Sequence, residues 1–190
     1  MFTEQIKEYG RWLGIASFRN VVVKNVEQLI SMLSEAASPA EIQLFDADKV
    51  AGREHLFFAA LNALKAFKEG IKISRSLSLE AILYASAQRQ IKNAIEMLGV
   101  RNGTINLAVM VLAEDEASII RFEEWLRIKL SWIPDSSAIE SWTTEKVEGI
   151  KSLFKISDLE MEKMLGKDVA IEAVIKKLVV ERVALLATMI

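Results

Sequence analysis

The apolar run Ile105–Leu112 constrains the fold of this chain more than any other stretch of its sequence. It is the most strand-like segment present, and it is apolar enough to be a central strand of a sheet. A strand of that kind is covered on both faces, so other elements must pack against each side of its sheet. The turn Arg101–Thr104 leads into it from a predicted helix, which argues against a hairpin at Asn102–Gly103.

Three shorter segments before this run also have β-like patterns. They are Trp12–Phe18, Val21–Val23 and Glu41–Phe45, the last of which alternates between apolar and polar residues. The acidic pair Asp46 and Asp48 follows the third segment. Because no further carboxylate or histidine stands beside this pair at a metal-ligand spacing, we interpret it as turn and capping chemistry. The four segments predict a small sheet.

The stretch Ser78–Leu98 predicts one helix with clear ends. Ser78 suits the N-cap, and Gly99 is placed to end the helix in a left-handed conformation. Three- and four-residue spacing predicts a core face made of Leu79, Leu83, Ala87, Ile91, Ala94, Ile95 and Leu98. Gln90 falls inside this apolar arc, so we expect its amide to tie the helix to a neighbouring backbone, because buried amides need partners.

Helical spacing predicts six further helices, which are Val26–Ala36, Arg53–Glu69, Asp115–Trp132, Thr144–Phe154, Ser157–Leu165 and Lys167–Ile190. Ser157 and Glu160 fit a capping box at the start of the predicted helix Ser157–Leu165.

The predicted helix Asp115–Trp132 carries a second apolar stripe, formed by Trp125, Ile128 and Trp132. That stripe either packs under the C-terminal region or is an interface with another molecule.

The predicted terminal helix Lys167–Ile190 is apolar on nearly all sides in its last turns. One face is formed by Ile171, Val174, Ile175, Leu178, Leu185 and Leu186, and valines widen the apolar arc. A helix of that kind either lies deep in the core or is covered by a partner. Arg182 projects into the apolar arc, where it needs a carboxylate or a carbonyl group as its partner.

The chain has more apolar residues than a soluble domain usually carries, since 52% of its 190 residues are hydrophobic and its mean hydropathy is +0.23. No apolar run reaches the roughly 20 residues that a membrane-spanning helix needs. Met1–Gly10 lacks the apolar run of a secretory signal. We therefore expect a cytoplasmic protein with one domain over 1–190, whose apolar surplus lies in its core and in interfaces with partners.

The residue inventory offers little catalytic or metal-binding chemistry. There is no Cys and a single His, which excludes disulfides, thiolate zinc sites and the usual histidine metal sites. Serine-hydrolase, phosphate-loop and zinc-protease motifs are missing from the sequence, although its many carboxylates leave a paired-carboxylate mechanism open. We expect an interaction protein without cofactor, metal or small-molecule substrate. The net charge of −2 confines any RNA contact to a local basic patch.

Three segments carry a resemblance to a known family. The first contains Arg75, Leu83–Ser86 and Arg89–Ile91, the second is Gly52–Phe67 with His55–Leu56 and an alanine series, and the third is Glu181–Leu186. In this order and spacing they resemble the small kinase-binding subunit of the KEOPS complex, the PRPK-binding or TPRKB-like family, and the third looks like its archaeal branch. The resemblance extends over most of the chain.

This resemblance implies a subunit that is not itself catalytic and that binds the N-terminal lobe of the complex's atypical kinase/ATPase subunit. It also implies help in capturing tRNA by its acceptor end with the CCA tail, for the threonylcarbamoyl modification of the adenosine next to the anticodon. The implied fold is α+β, with a small, mostly antiparallel central sheet covered by helices and a helical C-terminal region. The alternative is a purely structural kinase-binding scaffold without RNA contact.

Carried onto this chain, the family implies two surfaces. The kinase-facing surface is expected on the apolar C-terminal helix and consists of Leu178, Val179, Arg182, Val183 and Leu186. The tRNA-facing surface is expected to consist of Lys72, Arg75, Arg89 and Lys92, with His55 as a stacking or hydrogen-bonding group. The residues around His55 favour a structural or capping role for it over a contact with a partner or RNA. The negative net charge predicts weak tRNA binding by the chain alone. Self-association of the free protein through its partner surface stays open, and no membrane partner is expected.

Overall fold

The fold is built on a four-stranded sheet with the order β1-β2-β4-β3, in which every neighbouring pair is antiparallel. The computed structural model describes residues 1–165 and 169–188. Its strands are β1 (Phe2–Ile6), β2 (Arg11–Phe18), β3 (Glu41–Asp46) and β4 (Leu107–Ala113). The predicted α+β fold is confirmed. The apolar run is confirmed as a central strand, because β4 is buried along its whole length.

Helices cover both faces of this sheet. In the described residues they are α1 (Val26–Ala37), α2 (Arg53–Glu69), α3 (Leu77–Ser86), α4 (Ile91–Leu98), α5 (Glu116–Leu130), α6 (Ser137–Glu140), α7 (Thr144–Phe154), α8 (Asp158–Met164) and α9 (Ile171–Leu186). Short 3₁₀ turns follow β1 at Lys7–Tyr9 and β3 at Ala47–Lys49. None of these helices has the length and apolar character needed to cross a membrane.

The side chains of β4 alternate between two hydrophobic cores. Ala108, Met110 and Leu112 contribute to a core shared with α2, α3 and α9. Val109 and Val111 contribute to a second core, on the other face, shared with α1 and α5. Since successive residues of a strand point to opposite faces, a strand with a core on each side needs apolar residues throughout.

The region predicted as one helix, Ser78–Leu98, contains two helices. The first ends because Ala87 adopts a left-handed conformation with φ of 52°. The amide of Gln88 donates to the carbonyl of Leu83 at 3.0 Å, which completes a Schellman motif. A left-handed alanine costs about 1–2 kcal/mol, which the surrounding packing offsets. Sequence periodicity missed the break because the apolar spacing resumes in phase at Ile91.

The ends of these two helices also differ from the prediction. Ser76, and not Ser78, is the N-cap of α3, and its Oγ accepts a hydrogen bond from the Leu79 amide. Gln90 is exposed at the start of α4, so its amide is not buried. Gly99 has φ of −69°, which is not left-handed, and the stop predicted for it is wrong.

Two other predicted elements differ from the prediction. Val21–Val23 is not a strand of the sheet, although the amides of Val21 and Val23 donate to the carbonyls of Ile105 and Thr104. The predicted helix Lys167–Ile190 is observed over α9. Residues 166–168 and 189–190 lie outside the described residues.

The second stripe of α5 lies on the opposite side of the sheet from α9. Trp125 and Trp132 pack against the core of α1 and α5, and the Trp132 ring centroid lies 5.2 Å from that of Phe18. Because α9 contributes to the other core, the stripe does not pack under the C-terminal region. Ile128 is 74% exposed, so this member of the stripe lies on the surface.

Candidate partner-binding surfaces

Four of the five residues predicted to face the kinase lie inside the protein's own core. These are Leu178, Val179, Val183 and Leu186, none of which is more than 3% exposed. They pack in the core that α9 shares with α2, α3 and α7. The prediction is wrong on this point. The apolar arc of α9 is wider than one face, and the chain uses the inner part of that arc for its own folding.

The outer face of α9 and the first turns of α2 border an open groove of about 600 Å³. Its lining consists of Glu54 and Phe58 from α2 and of Ala173, Lys176, Lys177, Val180, Glu181 and Ala184 from α9. Phe58 is 37% exposed, and Ala173 and Ala184 of α9 are exposed as well. The groove therefore combines an apolar floor with charged side chains of both signs at its sides.

Glu140 ties the two walls of this groove together. Its Oε1 accepts a hydrogen bond from the Arg53 amide at 2.7 Å, and its Oε2 accepts from the Lys176 ammonium at 2.6 Å. Burial raises the pKa of Glu140, but these two donors outweigh burial and hold the pKa below its ordinary value. Gly52 at this junction has φ of 92°, a conformation that other residues adopt only under strain.

Arg182, the fifth predicted kinase-facing residue, forms an ion pair with Glu160. The same carboxylate completes the predicted capping box of α8 by accepting from the Ser157 amide at 2.9 Å. Hydrogen bonds from Ser157 and from Arg182 lower the pKa of Glu160 to about 2. The predicted need of Arg182 for a carboxylate partner is confirmed, and its side chain is partly exposed.

His55 is fully buried and does not reach the surface. Its Nδ1 accepts a hydrogen bond from the Ala51 amide at 3.2 Å, and its Nε2 lies 2.7 Å from the Ala85 carbonyl oxygen, to which it donates. Burial, opposed by the hydrogen bond to the Ala85 carbonyl and aided by the nearby charge of Lys146, lowers the pKa of His55 to about 4, so the imidazole is neutral at pH 7. The predicted RNA contact by His55 is therefore incompatible with the fold.

The four predicted RNA-facing cations are all exposed, but the structure divides them into two groups. Lys72 and Arg75 precede α3, whereas Arg89 and Lys92 follow its C-terminal end. Ten helical residues span about 15 Å, so one short RNA segment would have to run along α3 to contact both groups. Lys92 also lies 3.9 Å from the carboxylate of Glu96, an exposed pair of little energetic weight.

A second groove of about 310 Å³ runs along the open edge of β3. Ile42–Leu44 of that strand line it together with Ser76, Leu79 and Ile95. Because β3 pairs with β4 on its other side only, part of its backbone is left without a neighbouring strand. Arg75 directly precedes Ser76 in the chain, so this groove opens beside the first group of cations.

Sequence analysis missed the apolar floor of the first groove, because Phe58 was assigned no role. Leu185, which lies outside this groove, was predicted on one face with Leu186, although it is 48% exposed. The helical spacing was a sufficient signal for an apolar arc, but it does not say which part of a wide arc faces the core. A buried lysine was missed as well: Lys146 donates to the carbonyls of Ala47 and Ile139 at 3.2 and 3.0 Å, and burial lowers its pKa to about 8.

The buried side chains of His55 and Lys146 serve the fold, because their nitrogens form hydrogen bonds with backbone amide and carbonyl groups. Over residues 1–165 and 169–188, no group of three or more His, Asp or Glu side chains is placed to hold a metal ion. The features of the surface are grooves, exposed apolar side chains and unburied cations. The fold and these surfaces define an α+β protein suited to binding other macromolecules.

Comparison with known proteins is consistent with that class. Residues 18–187 match the family model described as "Kinase binding protein CGI-121". The chain is also 30% identical over 134 residues to "Regulatory protein Cgi121" of Methanocaldococcus jannaschii, an alignment that covers 70% of this chain and 83% of that protein. The chain therefore belongs to the CGI-121 family of kinase-binding proteins, and the resemblance found in the sequence is confirmed.

Proposed function

We propose that this protein is the accessory subunit of a cytoplasmic KEOPS complex that binds the kinase/ATPase subunit through the groove between α2 and α9. The observation that carries the proposal is the exposed apolar floor of this groove in a member of a kinase-binding family. Covering the exposed part of Phe58 would contribute about 1 kcal/mol before the cost of association. The charged side chains at its sides would add selectivity.

The test is calorimetric titration of the full chain with the kinase subunit of the same source, comparing wild type with Ala184→Glu, a change at an exposed residue of the groove lining. The matched control is Ile128→Glu, which places the same charge on an exposed isoleucine across the sheet. We expect Ala184→Glu to weaken binding at least tenfold and Ile128→Glu to leave it unchanged. If Ile128→Glu weakened binding and the groove variant did not, the interface would lie on α5. Leu186→Glu is unsuitable, because it would place a charge in the core.

The same proposal includes recruitment of tRNA through its acceptor end and CCA tail, for threonylcarbamoyladenosine formation next to the anticodon. Lys72 and Arg75, beside the open edge of β3, are the cations best placed to hold an unpaired RNA end. Arg89 and Lys92 would contact a further part of the RNA. Four cations on a chain of net charge −2 suit weak binding that the assembled complex strengthens.

Charge reversal separates this function from a purely structural scaffold. Arg75→Glu combined with Arg89→Glu should abolish binding of tRNA in a filter or gel assay, while kinase binding and circular dichroism stay unchanged. If tRNA binding by the complex is the same with and without the two changes, the RNA function fails and the scaffold alternative stands.

A further inference from the structure

A separate open pocket lies at the C-terminal end of α2. It has a volume of about 380 Å³, and its lining includes Tyr9, Arg11, Phe67 and Lys68. Phe67 follows Phe58 by nine residues, which places the two rings on opposite faces of α2. This pocket is therefore distinct from the groove proposed for the kinase, and both can be occupied at the same time.

Two partly exposed aromatic rings in this region each have a lysine ammonium over them. The Nζ of Lys68 lies 5.2 Å from the centroid of the Tyr9 ring, and the Nζ of Lys72 lies 4.3 Å from that of Phe67. Among the described residues, neither lysine forms an ion pair with a carboxylate. Contacts of this kind are weak at exposed sites, so a ligand can displace the ammonium from the ring.

We propose that Tyr9 and Phe67 form a stacking platform for unpaired RNA nucleotides, whose phosphates are neutralised by Lys68 and Lys72. The inference rests on the proposed tRNA-binding function and adds a second contact region to it. Bases stack on aromatic rings regardless of sequence, and flexible lysines can turn from the rings to the phosphates. Lys72 lies three residues before Arg75, so the platform is continuous with the cations at the start of α3.

The composition of the pocket favours single-stranded RNA over other anionic partners. A duplex presents phosphates but keeps its bases stacked on one another, so it leaves the two rings unused. An acidic peptide matches the lysines, but its carboxylates gain nothing from the faces of aromatic rings. Glu8 also lines the pocket and would repel either polyanion, so charge alone gives this site little affinity.

The test measures binding of a fluorescein-labelled unpaired RNA of about eight nucleotides to the full chain, with a duplex of the same length as comparison. Tyr9→Leu combined with Phe67→Leu keeps apolar side chains but removes both rings. Trp125→Leu is the matched control, because it removes a partly exposed ring on α5, across the sheet from this pocket. Lys68→Gln with Lys72→Gln tests the cations by changing exposed groups alone.

We expect the double leucine variant to weaken binding of unpaired RNA by about tenfold or more, and Trp125→Leu to leave it unchanged. A 2-aminopurine base in the RNA should lose fluorescence on binding wild type and keep it with the double leucine variant. Any of three results would overturn the inference. Wild type could bind the duplex as tightly as the unpaired RNA, or the double leucine variant could bind unpaired RNA as tightly as wild type does. A polyglutamate peptide could also displace the labelled RNA as well as unlabelled unpaired RNA does.

Arg75→Glu distinguishes failure of this inference from failure of the RNA function. Loss of binding in Arg75→Glu with no effect of the double leucine variant would reject the platform and keep tRNA recruitment. Absence of RNA binding by wild type, alone and in the kinase complex, would reject both and leave the kinase function standing.

Discussion

Mild acidification is expected to destabilise this protein through one side chain, His55. The imidazole is fully buried, and its Nδ1 already accepts the Ala51 amide proton. A second ring proton would break that hydrogen bond and bury a charge near the Lys146 ammonium. Burial is the largest cause that lowers the pKa of His55, from an ordinary value of 6.5 to about 4.

The size of the effect follows from the difference between the folded and unfolded chains. The unfolded chain binds the proton near pH 6.5 and the folded chain only near pH 4, so the stability is complete above pH 6.5 and falls as the pH falls through this window. The total loss is about 3 kcal/mol, of which about 2 kcal/mol is lost between roughly pH 7 and pH 5. Carboxylates with lowered pKa values, such as Asp115 and Glu160, lose their stabilisation only at lower pH.

Urea unfolding at about pH 7 and pH 5, followed by tryptophan fluorescence, measures this loss directly. The chain has a single His, so its imidazole signals in NMR spectra need no assignment by mutation. His55→Gln is the control: it lowers stability at pH 7, but it should remove most of the difference between pH 7 and pH 5. A folded-state imidazole that titrates near 6.5, or a variant with the full pH difference, would refute the reasoning.

Three further predictions concern stability and are measured by urea unfolding. Leu186→Ala should lower the free energy of unfolding by about 2–5 kcal/mol, whereas Leu185→Ala should change it by less than about 0.5 kcal/mol; equal losses would contradict the assignment of inner and outer faces to α9. Gly52→Ala should cost about 1–3 kcal/mol because of its φ of 92°, and an unchanged midpoint would show that the backbone there relaxes. Ser157→Ala should cost about 1 kcal/mol through loss of the cap on α8, and Ser152→Ala, on the exposed side of α7, is its control.

The fold was largely predictable because its strongest signal is one of composition. A run as apolar as β4 is typical of a central strand with a core on each side, and the structure places β4 there. The capping box at Ser157 and Glu160 was predictable for a similar reason, since it depends on two residues three positions apart. Local chemistry of this kind does not require knowledge of the tertiary contacts.

The break between α3 and α4 could not be predicted from local patterns. Ala87 is a good helix former, and its left-handed conformation is imposed by packing and by the hydrogen bonds that close α3. The two faces of α9 were confused for a related reason. When apolar residues occupy most of a helix, the sequence does not say which of them, Leu185 or Leu186, the rest of the chain covers.

The candidate sites were predicted in part. The exposed cations at both ends of α3 were found from sequence, since charged residues on an amphipathic helix are normally solvated. For His55 the sequence favoured a structural role but left an RNA contact open, because burial of a histidine depends on which carbonyl and amide groups the fold brings to its two nitrogens. The partners of His55 illustrate this: Ala51 is four residues away, but Ala85 is thirty residues away.

Photo-crosslinking tests the central claim, that the groove between α2 and α9 is the kinase-binding surface, most directly. A benzophenone amino acid is placed at Ala184, which lines the groove, in one version of the chain and at Ile128 in another, and each is irradiated with the kinase subunit of the same source. We predict a crosslinked complex from position 184 and none from position 128. Crosslinking from position 128 alone would contradict the account and place the kinase on the opposite side of the sheet.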